Sequence, residues 1–338
     1  MDSEQANFEA RARRQIKAYH EAALIYVAVK LRLSERLEDQ PWTAQELAVT
    51  LGLSAPHLHR LLHGLVAFGI CEELPDGTFV LTRAGRSLKA GAPSRLAEKA
   101  TIVVEQYWRP WAELIASLET GRPAFEQAFG RDVRDWRRAN AEQGALFTAY
   151  LAQETHAHAQ PIIAAIDLAG VTIVAEIGGS HGGLLAAVLE SHPHVGGVLL
   201  DEPYVLSAAV PFFQSLRLVE RVHLVGGDAL AAIPVTADLY LMKGVLQNFD
   251  DQRAAAILRN CRAALQGAAR LVVIERLLPD RASEDTSAIL LDLHMMAITG
   301  GRLRRRDEIE ALLAEAGFML ASVSSTTSGL ALMTALPV

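Results

Sequence analysis

A run of glycines between two apolar segments carries the residues of this 338-residue chain best suited to binding a nucleotide. The run Gly178–Gly183 is interrupted only by Ser180 and His181, and it follows the apolar segment 173–177. Glycine lets the backbone turn sharply and approach a ligand, and the free N–H groups at a following helix start favour a carboxylate or phosphate. Asp201 lies about 20 residues further on, where an acid can accept hydrogen bonds from ribose hydroxyls.

The elements on either side of the glycine turn are readable from the pattern of apolar residues. The β-branched segment 173–177 predicts a buried parallel strand, and Leu184–Glu190 predicts an amphipathic helix. A second apolar run, Val195–Leu200, ends in Asp201. Strand, glycine turn, helix, strand and acid together predict the opening βαβ unit of a nucleotide-binding α/β domain.

The spacing within the turn indicates which nucleotide is bound. It is not the strict G-x-G-x-x-G pattern, because Ser180 and His181 occupy its middle. It has the form Glu176-x-Gly178-x-Ser180-x-Gly182, which is associated with S-adenosylmethionine (SAM). A glycine turn in a loop without function is the alternative interpretation of this stretch taken alone.

Further strands and helices follow the nucleotide unit. The predicted strands are Val222–Val225, Leu239–Met242, Leu271–Ile274 and Leu330–Ala335. The predicted helices are Asp251–Leu265 and Asp307–Ala316, the second ended by Gly317. Strands that alternate with helices predict one doubly wound sheet.

The first part of the chain has the pattern of a winged helix. One helix is predicted over 8–38, with apolar residues on more than one face, which suggests burial against a partner. Thr43 and Glu46 form a predicted capping box, and another helix is predicted from Ser54. The segments 70–74 and 78–82, joined by the turn Pro75-Asp76-Gly77, predict a β-hairpin.

Charge decides between the two usual roles of a winged helix, DNA binding and dimerisation. Between Pro41 and Ala90, acidic residues balance the basic ones, so the electrostatic footprint that a phosphate backbone demands is missing. We expect a dimerisation domain over residues 1–95, followed by the catalytic domain over 96–338. A winged-helix regulator is the alternative outside the enzymes, and a gel shift on promoter DNA would test it.

A metal site is the other chemistry that the N-terminal domain suggests. His57, His59 and His63 lie on one predicted helix, and the last two are four residues apart. No carboxylate or cysteine sits at ligand spacing, so solvated helix histidines are the simpler interpretation, and we predict no metal.

Composition narrows the compartment and the partners. The net charge of −7 argues against recruitment of nucleic acid by bulk electrostatics. The two cysteines are too few for a disulfide scaffold or a thiolate zinc site. The N-terminus shows no signal peptide, and no uncharged apolar run reaches the roughly 20 residues of a membrane span. We expect a cytoplasmic protein that does not bind membranes.

The segment from Leu96 to Ala165 is predicted to be helical and is rich in aromatic residues. Two interpretations stay open. The rings pack the core of the interdomain helices, or some of them line an apolar pocket for a planar substrate.

Motifs spread over nearly the whole chain resemble the class I SAM-dependent small-molecule O-methyltransferases of plant caffeate and bacterial antibiotic type. The motifs are Glu176-x-Gly178-Gly179-x-x-Gly182, Leu200-Asp201-x-Pro203, Gly226-Gly227-Asp228, Leu241-x-Lys243, Val273-Ile274-Glu275, Asp292-Leu293-x-Met295-Met296, Gly300-Gly301-Arg302 and Ala316-Gly317-Phe318. The resemblance implies a Rossmann-like domain that binds SAM and a winged-helix domain that forms a homodimer.

The resemblance also implies the residues of the two binding sites. The Gly178–Gly182 loop would hold the methionine part of SAM, Asp201 the ribose and Asp228 the adenine. The full implied cofactor set is Gly178, Gly179, Ser180, Gly182, Asp201, Asp228, Ala229, Lys243 and Phe249. The implied substrate pocket is Trp108, Phe129, Phe147, Leu151, Asn248, Met295, Met296 and Leu303.

The catalytic positions depart from the family pattern. The family has a histidine base in a Leu-His-Asp-Trp stretch, and here the stretch is Leu246-Gln247-Asn248-Phe249. One supporting acid is kept as Glu275, and the other is replaced by Leu303. A carboxamide does not accept a proton at neutral pH, and losing a positioned base costs about 10²–10⁴ in rate. A phenol with a pKa near 10 is only about one part in a thousand ionised at pH 7, so simple phenols are poor candidates.

Three outcomes fit this departure. The acceptor needs no base, as with a ring nitrogen, an enol carbon or an acidic hydroxyl; or Glu275 or His294 takes the proton; or methyl transfer is lost. We favour SAM-dependent methyl transfer by proximity to a small planar specialised metabolite, with nitrogen or carbon acceptors ahead of simple phenols. The candidate catalytic residues are Gln247, Glu275 and His294. The alternative enzyme is a non-methylating SAM-binding catalyst of pericyclase, hydroxylase or decarboxylase type.

Overall fold

A computed structural model describes residues 3–338, which fold into two compact units. The first unit ends at Arg109, and the second runs from Pro110 to Val338. The first unit thus extends beyond the predicted domain boundary at residue 95. The cause is local, because Glu105 accepts a hydrogen bond from the Tyr26 hydroxyl at 2.7 Å and pairs with Lys30 at 2.8 Å.

The first unit is mostly helical and ends in a small hairpin. Its elements are α1 (Ser3–Lys30), α2 (Leu33–Asp39), α3 (Ala44–Leu51), α4 (Ala55–Ala67), β1 (Cys71–Glu73), β2 (Phe79–Leu81) and α5 (Leu96–Ile102), followed by a π turn over Val103–Tyr107. The single helix predicted over 8–38 is wrong, because Arg32 takes a left-handed conformation with φ 52° and separates α1 from α2.

Other predictions for the first unit are confirmed. The Thr43 side chain accepts from the backbone N–H of Glu46 at 3.2 Å, and Glu46 accepts in return from that of Thr43 at 3.0 Å. β1 and β2 pair antiparallel as the predicted wing, and Ser54 is the N-cap of α4. Apolar side chains of α2 to α4 pack with Phe79 of the wing to form the core of this unit.

The second unit begins within α6 (Trp108–Ala112) and contains most of the chain. Its further helices are α7 (Leu114–Thr120), α8 (Ala124–Phe129), α9 (Val133–Ala139), α10 (Ala141–Ala157), α11 (Gln160–Ile163), α12 (Gly183–Ser191), α13 (Pro203–Leu206), α14 (Ala209–Ser215), α15 (Asp251–Ala264), α16 (Thr286–Ile298) and α17 (Arg306–Glu315). Its strands are β3 (Ile173–Ile177), β4 (Gly196–Asp201), β5 (Val222–Gly226), β6 (Leu239–Lys243), β7 (Arg270–Glu275), β8 (Phe318–Ser325) and β9 (Ala331–Pro337).

The strands form one 7-stranded sheet in the order β5-β4-β3-β6-β7-β9-β8. Strands β3 to β7 are parallel, and β9 and β8 close one edge antiparallel. The order reverses between β3 and β6, where doubly wound sheets bind ligands outside the carboxyl ends of the strands. The predicted Rossmann-like α/β fold is confirmed, including every strand named from the sequence.

The sheet explains why distant residues meet. Apolar clusters cover both of its faces, one including residues of α15 and α17 and the other residues of α11, α12 and α14. Parallel strands present their carboxyl ends at one edge, so Asp201, Lys243 and Glu275, which end β4, β6 and β7, come to the edge that bears the glycine turn. Among residues 3–338, no helix combines the length and apolarity required to cross a membrane.

Candidate active site

The glycine turn after β3 has a backbone that other residues would not adopt easily. Gly178 has φ 68°, Gly182 has φ 81°, and Ser180 between them has φ 60°. Left-handed conformations are rare outside glycine, and strain of this kind clusters at ligand sites. At Gly179 the cause is contact, since an added Cβ would overlap the Glu176 carboxyl group. The turn is therefore shaped by contacts inside the chain before any ligand binds.

Two carboxylates hold this turn. Oδ2 of Asp201 accepts from the backbone N–H of Ser180 at 2.7 Å, and Oδ1 accepts from that of Glu202 at 2.7 Å. Glu176 accepts from the backbone N–H of Leu185 at 3.0 Å. Burial raises the pKa of Asp201 to about 6 and that of Glu176 to about 7. A carboxylate has about four acceptor positions, so the two backbone N–H groups leave Asp201 further acceptor capacity for a ligand.

His181 was not predicted as a site residue, although it lies in the same turn. It is 4 % exposed, and its Nε2 atom has no hydrogen-bond partner among the described residues. Burial lowers the pKa of its imidazole to about 4, so the ring is neutral at pH 7. The sequence signal was present, since a polar ring between glycines of a ligand-binding turn has few structural reasons to be there.

The loop after β5 carries the residues expected at the adenine. Asp228 is exposed and accepts from the backbone N–H of Leu230 at 2.8 Å. The Asn260 side chain donates to the backbone oxygens of Ala229 and Leu230, each at 2.9 Å. Asn260 on α15 therefore fixes the shape of this loop.

Lys243 and Phe249, both predicted to contact the cofactor, differ in chemical character. Nζ of Lys243 donates to the Thr155 hydroxyl at 3.3 Å, and burial lowers its pKa. The Phe249 ring is buried, with the Arg134 guanidinium carbon 4.2 Å from its centroid. The charge of Arg134 also acts on Asp201, which places α9 close to the predicted ribose residue.

Glu275 stabilises the short turn that carries Gln247 by accepting hydrogen bonds from its backbone. Oε1 of Glu275 accepts from the backbone N–H groups of Leu246 at 2.9 Å and Gln247 at 3.4 Å. Glu275 is 3 % exposed, and burial raises its pKa to about 7. The Asn248 amide donates back to the Gly244 oxygen at 2.7 Å. Glu275 thus binds the backbone of the turn.

Arg304 stabilises the same turn by donating hydrogen bonds to its backbone oxygens. Its guanidinium is buried, donates to the backbone oxygens of Leu246 at 3.0 Å and Phe249 at 2.9 Å, and pairs with Asp251. Gly301 is required beside it, because an added Cβ would overlap the Gln247 oxygen. Arg304 was not among the predicted site residues, because contact with a backbone oxygen leaves no pattern in sequence.

His294 on α16 makes a hydrogen bond that fixes its protonation. The indole N–H of Trp111 donates to Nδ1 of His294 at 3.1 Å. Burial, with a smaller contribution from the charge of Arg137, lowers the pKa of His294 to about 4. Since indole is a donor only, Nδ1 must be the acceptor and the single proton of the neutral ring is on Nε2. His294 presents a donor at Nε2.

Arg137 is a second residue that sequence reasoning missed. It is 8 % exposed, and its guanidinium carbon lies 3.3 Å from the centroid of the Phe147 ring. Its charge acts on both His294 and Tyr204. The structure thus places a buried cation against Phe147, and the charge of this cation reaches His294. Three arginines in the stretch 134–138 gave a signal, but the sequence does not show which one is buried.

The predicted pocket residues differ in their surroundings. Trp108 belongs to the first compact unit and the other seven to the second. Phe129 packs with Phe125 and Trp136, with ring centroids 4.6 and 5.0 Å away, and Leu151 is 37 % exposed. In a separate apolar cluster, Met295 and Leu303 lie together and are buried, whereas Met296 is half-buried. Whether each contacts a substrate stays a prediction.

One sequence argument in the first unit is wrong. Glu73 on the wing brings a carboxylate to His59 and His63, and the ligand atoms of the three lie within 4.8 Å of one another. The hairpin makes this contact, which spacing along α4 could not reveal. Nε2 of His63 lies 3.3 Å from Oε2 of Glu73, so an exposed contact between the imidazole and the carboxylate accounts for the arrangement.

Comparison with known protein families shows the family to which the chain belongs. Residues 111–319 match the O-methyltransferase domain, and residues 14–90 match the O-methyltransferase dimerisation domain. The chain belongs to this O-methyltransferase family. The methyltransferase therefore uses SAM, and the predicted fold class, cofactor and enzyme class are confirmed.

Characterised relatives cover nearly the whole methyltransferase. It is 33 % identical to the phenazine O-methyltransferase PhzM of Lysobacter antibioticus, over 96 % of this chain and 94 % of the relative. It is 32 % identical to the phenazine-1-carboxylate N-methyltransferase of Pseudomonas aeruginosa, over 87 % of both chains. It is also 32 % identical to the aclacinomycin 10-hydroxylase RdmB of Streptomyces purpurascens, over 90 % of this chain and 82 % of the relative.

A similar solved structure contains the cofactor. The O-methyltransferase NcsB1 from neocarzinostatin biosynthesis, in complex with SAM and 2-hydroxy-5-methyl naphthoic acid, matches with a TM-score of 0.81. The two chains are 28 % identical, over 94 % of this chain and 96 % of NcsB1. The methyltransferase is thus of the type that acts in secondary metabolism.

The residues of the methyltransferase fit a sulfonium cofactor. The carboxylates of Glu176, Asp201 and Glu275 are buried at or beside the strand-end edge, and burial raises the pKa of each. A positive charge placed near them would favour their ionised forms. The orphaned Nε2 of His181 is a further polar atom at this edge that lacks a partner within the described chain.

Proposed function

We propose that the methyltransferase transfers a methyl group to a nitrogen, a carbon or an already ionised oxygen of a small planar aromatic metabolite, without a general base from the chain. The observation that carries this proposal is the arrangement of three groups. Gln247 has no titratable atom, Glu275 binds the backbone of the turn, and His294 has its proton on Nε2.

Glu275 and His294 were both candidate bases, and their contacts argue against that role. The Glu275 carboxylate sits under the turn and is almost fully buried, so its hydrogen bonds stabilise the backbone that carries Gln247. His294 could accept a proton only at Nδ1, which already accepts from Trp111. A base must be within hydrogen-bond reach of the proton it removes.

What remains for the chain to do is binding and placement. SAM, when bound, supplies an electrophilic methyl group on a sulfonium sulfur. Asp201 binds ribose hydroxyls, and the glycine turn accommodates the methionine part. Glu275 and Arg304 fix the turn that presents Gln247 and Asn248. Holding two reactants in line corresponds to effective concentrations of about 10⁵–10⁸ M in favourable cases, so placement alone can carry much of the rate.

The names of the relatives support a planar aromatic acceptor. One is named for methylation of a nitrogen in phenazine-1-carboxylate, and NcsB1 was solved with a naphthoic acid. Both compounds are fused aromatic rings that carry a carboxylate. An acceptor of this kind would suit the aromatic residues of the second unit.

Mass spectrometry of the purified methyltransferase with SAM tests the proposal. The acceptor panel contains N-heteroaromatic, enolic and phenolic compounds, and the assay follows S-adenosylhomocysteine together with a product heavier by one CH₂ group. We expect both products with a nitrogen or carbon acceptor and neither with simple phenols. Efficient methylation of a simple phenol would contradict the proposal.

Gln247→His provides a gain-of-function arm. A histidine at this position restores a proton acceptor and is expected to allow phenol methylation where the pocket admits the phenol. The family pattern would also call for Leu303→Glu, since Leu303 replaces the second supporting acid. Leu303 is 1 % exposed in an apolar cluster, so that glutamate would be buried and costly. The single variant is therefore the cleaner experiment.

A second candidate is a SAM-dependent reaction without methyl transfer. The relative RdmB, named as a hydroxylase, is as similar to this chain as the N-methyltransferase is. The same assay separates the two candidates, because a non-methylating enzyme would change its substrate without releasing S-adenosylhomocysteine.

We also propose a homodimer formed through the N-terminal domain. Apolar side chains on α1 are exposed, with Phe8, Ile16 and Tyr19 each more than half accessible. An exposed apolar helix face in a domain of the dimerisation family fits a second copy of the chain. Light scattering should give twice the chain mass, and Ile16→Asp should weaken the dimer.

A further inference from the structure

We propose that the first unit carries a binding site for a divalent transition-metal ion of the zinc type, formed by the imidazoles of His59 and His63 and the carboxylate of Glu73. The ligand atoms of the three side chains lie within 4.8 Å of one another. Two histidines and one carboxylate are a ligand set that zinc takes in proteins, with a water molecule completing the tetrahedron. The site is separate from the proposed methyl transfer, whose candidate catalytic residues all belong to the second unit.

The helix α4 places the two histidines side by side. His59 and His63 are four residues apart and therefore share one face of the helix. Leu58 and Leu62, the residues just before them, are buried in the core of the first unit. Neighbouring helix positions are about 100° apart, so the histidines lie at the border between this core and solvent. Their ring centroids are 4.1 Å apart.

Phe79 of β2 restricts the rotation of both imidazoles. Its ring centroid is 5.9 Å from that of His59 and 6.1 Å from that of His63. Phe79 is fully buried, and its backbone exchanges two hydrogen bonds with Trp42, at 2.8 and 3.1 Å. A fixed aromatic ring against both imidazoles lowers the entropy that would be lost on ordering them around an ion.

The hairpin brings the carboxylate to the same place. Glu73 is the partner of Phe79 in the register of β1 and β2, and residues directly opposite each other in an antiparallel pair share one face. Cys71, two residues earlier and thus on that face, is buried, and its thiol donates to the Leu62 oxygen of α4 at 3.6 Å. This face of the hairpin therefore packs against α4 and presents Glu73 to the histidines.

Two of the three ligand atoms already have the spacing that zinc requires. Nε2 of His63 lies 3.3 Å from Oε2 of Glu73. Bonds of about 2.0–2.2 Å at tetrahedral angles place neighbouring ligand atoms about 3.4 Å apart. The side chains of His63 and Glu73 are 49 % and 38 % exposed, so a hydrated cation can reach them. Their direct contact thus prearranges two of the ligands, and an ion bound between them would take its place.

His57 shows that this arrangement is not shared by every histidine of α4. It lies two residues before His59, on another face of the helix, where its Nδ1 is 2.8 Å from the Ser54 hydroxyl. Within residues 3–338 it belongs to no group of three side chains that could ligate one ion. His57 is exposed and of the same residue type, so it provides a matched control.

Calorimetric titration of Zn²⁺ into the full chain, freed of metal with a chelator, tests the site. We expect one saturable Zn²⁺ per chain in the wild type. His59→Ala, His63→Ala and Glu73→Gln should each weaken it at least about tenfold, because losing even a residue that only orients a metal ligand costs about 10–100-fold in affinity. His57→Ala should bind as the wild type does. Mg²⁺, which prefers oxygen ligands, should not displace Zn²⁺.

Thermal unfolding gives a second measurement. A ligand that binds only the folded state stabilises it, so saturating Zn²⁺ should raise the Tm of the wild type by at least about 2 °C. Glu73→Gln keeps the shape of the side chain and should show no such rise. Circular dichroism without Zn²⁺ shows that each variant is folded.

A wild type without saturable Zn²⁺ binding would overturn the site. Full affinity in all three ligand variants would also overturn it, as would equal losses in His57→Ala and His63→Ala. Either result is what adventitious binding to surface histidines would give. The proposed function fails by a different result, since the acceptor assay for S-adenosylhomocysteine does not depend on Zn²⁺ binding to the first unit.

Discussion

Two regions of the candidate active site differ in their buried ionisable groups, which are three carboxyl groups near Lys243 in one region and an arginine stacked on an aromatic ring in the other. At the strand-end edge, burial raises the pKa of the carboxyl groups of Glu176, Asp201 and Glu275. Around α9 and α16, the charged group is Arg137, and burial lowers the pKa of His294. The buried carboxyl groups of the first region suit a cationic methyl donor.

The carboxylates of the first region are held in place by hydrogen bonds within the chain and do not depend on a ligand for their positions. Burial makes these carboxylates costly to ionise, and the charge of Lys243 offsets only part of that cost for Glu176 and Glu275, so their pKa values rise. A sulfonium placed among them would lower that cost. Fixed charges of this kind need no reorganisation during the reaction.

Asp201→Ala is the change that should break the first region most completely. It removes the proposed ribose acceptor and leaves the Ser180 N–H of the turn without the partner that it has in the wild type. We expect SAM affinity to fall by at least about 100-fold, since two hydrogen bonds to a charged group are lost. Calorimetry measures this, with Asp201→Asn to separate charge from shape. Wild-type affinity in Asp201→Ala would refute the cofactor site.

Arg304→Met tests whether the turn between the two regions is held by its backbone. It leaves two buried oxygens, of Leu246 and Phe249, without a donor. We expect the free energy of unfolding to fall by about 2–4 kcal/mol and kcat by more than about tenfold. Arg259→Met is the matched control, because its ion pair with Glu315 is exposed and should contribute less than about 1 kcal/mol.

Gly301→Ala tests the same turn by contact instead of hydrogen bonding. The added methyl group would overlap the Gln247 oxygen and displace the turn. We expect kcat to fall by about tenfold or more while SAM affinity changes little, since misplacement near the reacting atoms is costly. Gly227→Ala is the control, because nothing lies within 4 Å of its added Cβ. An equal effect of the two substitutions would show that contact at the turn is unimportant.

Glu275→Gln measures what the raised pKa costs the folded state. The pKa of Glu275 is about 7 when folded against 4.5 as its ordinary value. Below about pH 4.5 the carboxyl group is protonated in both the folded and the unfolded state, so its burial in the neutral form contributes fully to stability. This contribution to the free energy of unfolding is lost as the pH rises through 7. Relative to the wild type, the variant should gain about 1–3 kcal/mol of unfolding free energy between pH 5 and 8. Denaturant titrations at both pH values show it; a pH-independent difference would contradict the assignment.

Trp111→Phe makes the smallest change and probes the second region alone. It removes the N–H that fixes the tautomer of His294, so both neutral tautomers should become populated. Nitrogen NMR of labelled histidine reports this directly. The wild type should show the proton on Nε2 and no protonation near pH 6, in line with the lowered pKa. A protonated His294 ring at that pH would contradict the lowered pKa.

Local sequence was sufficient for much of the fold. β-Branched runs gave β3 to β7 and β9, and the capping box and hairpin of the first unit were recognisable from a few residues each. β8 was missed because much of it is exposed and polar. α16 was missed because it is apolar on all sides and shows no helical period. The break at Arg32 had no signal, since a left-handed arginine does not interrupt the pattern of apolar residues.

The sequence by itself was sufficient to predict a cofactor site, because the residues proposed for it, Gly178 to Gly182 and Asp201, belong to one continuous turn and to the end of one strand. Only the tertiary structure decided the protonation and contacts of the candidate catalytic residues. Whether Glu275 binds backbone, which nitrogen of His294 carries the proton, and which of three arginines is buried all depend on helices far apart in sequence. Burial and hydrogen-bond partners set protonation, and neither is encoded in spacing along the chain.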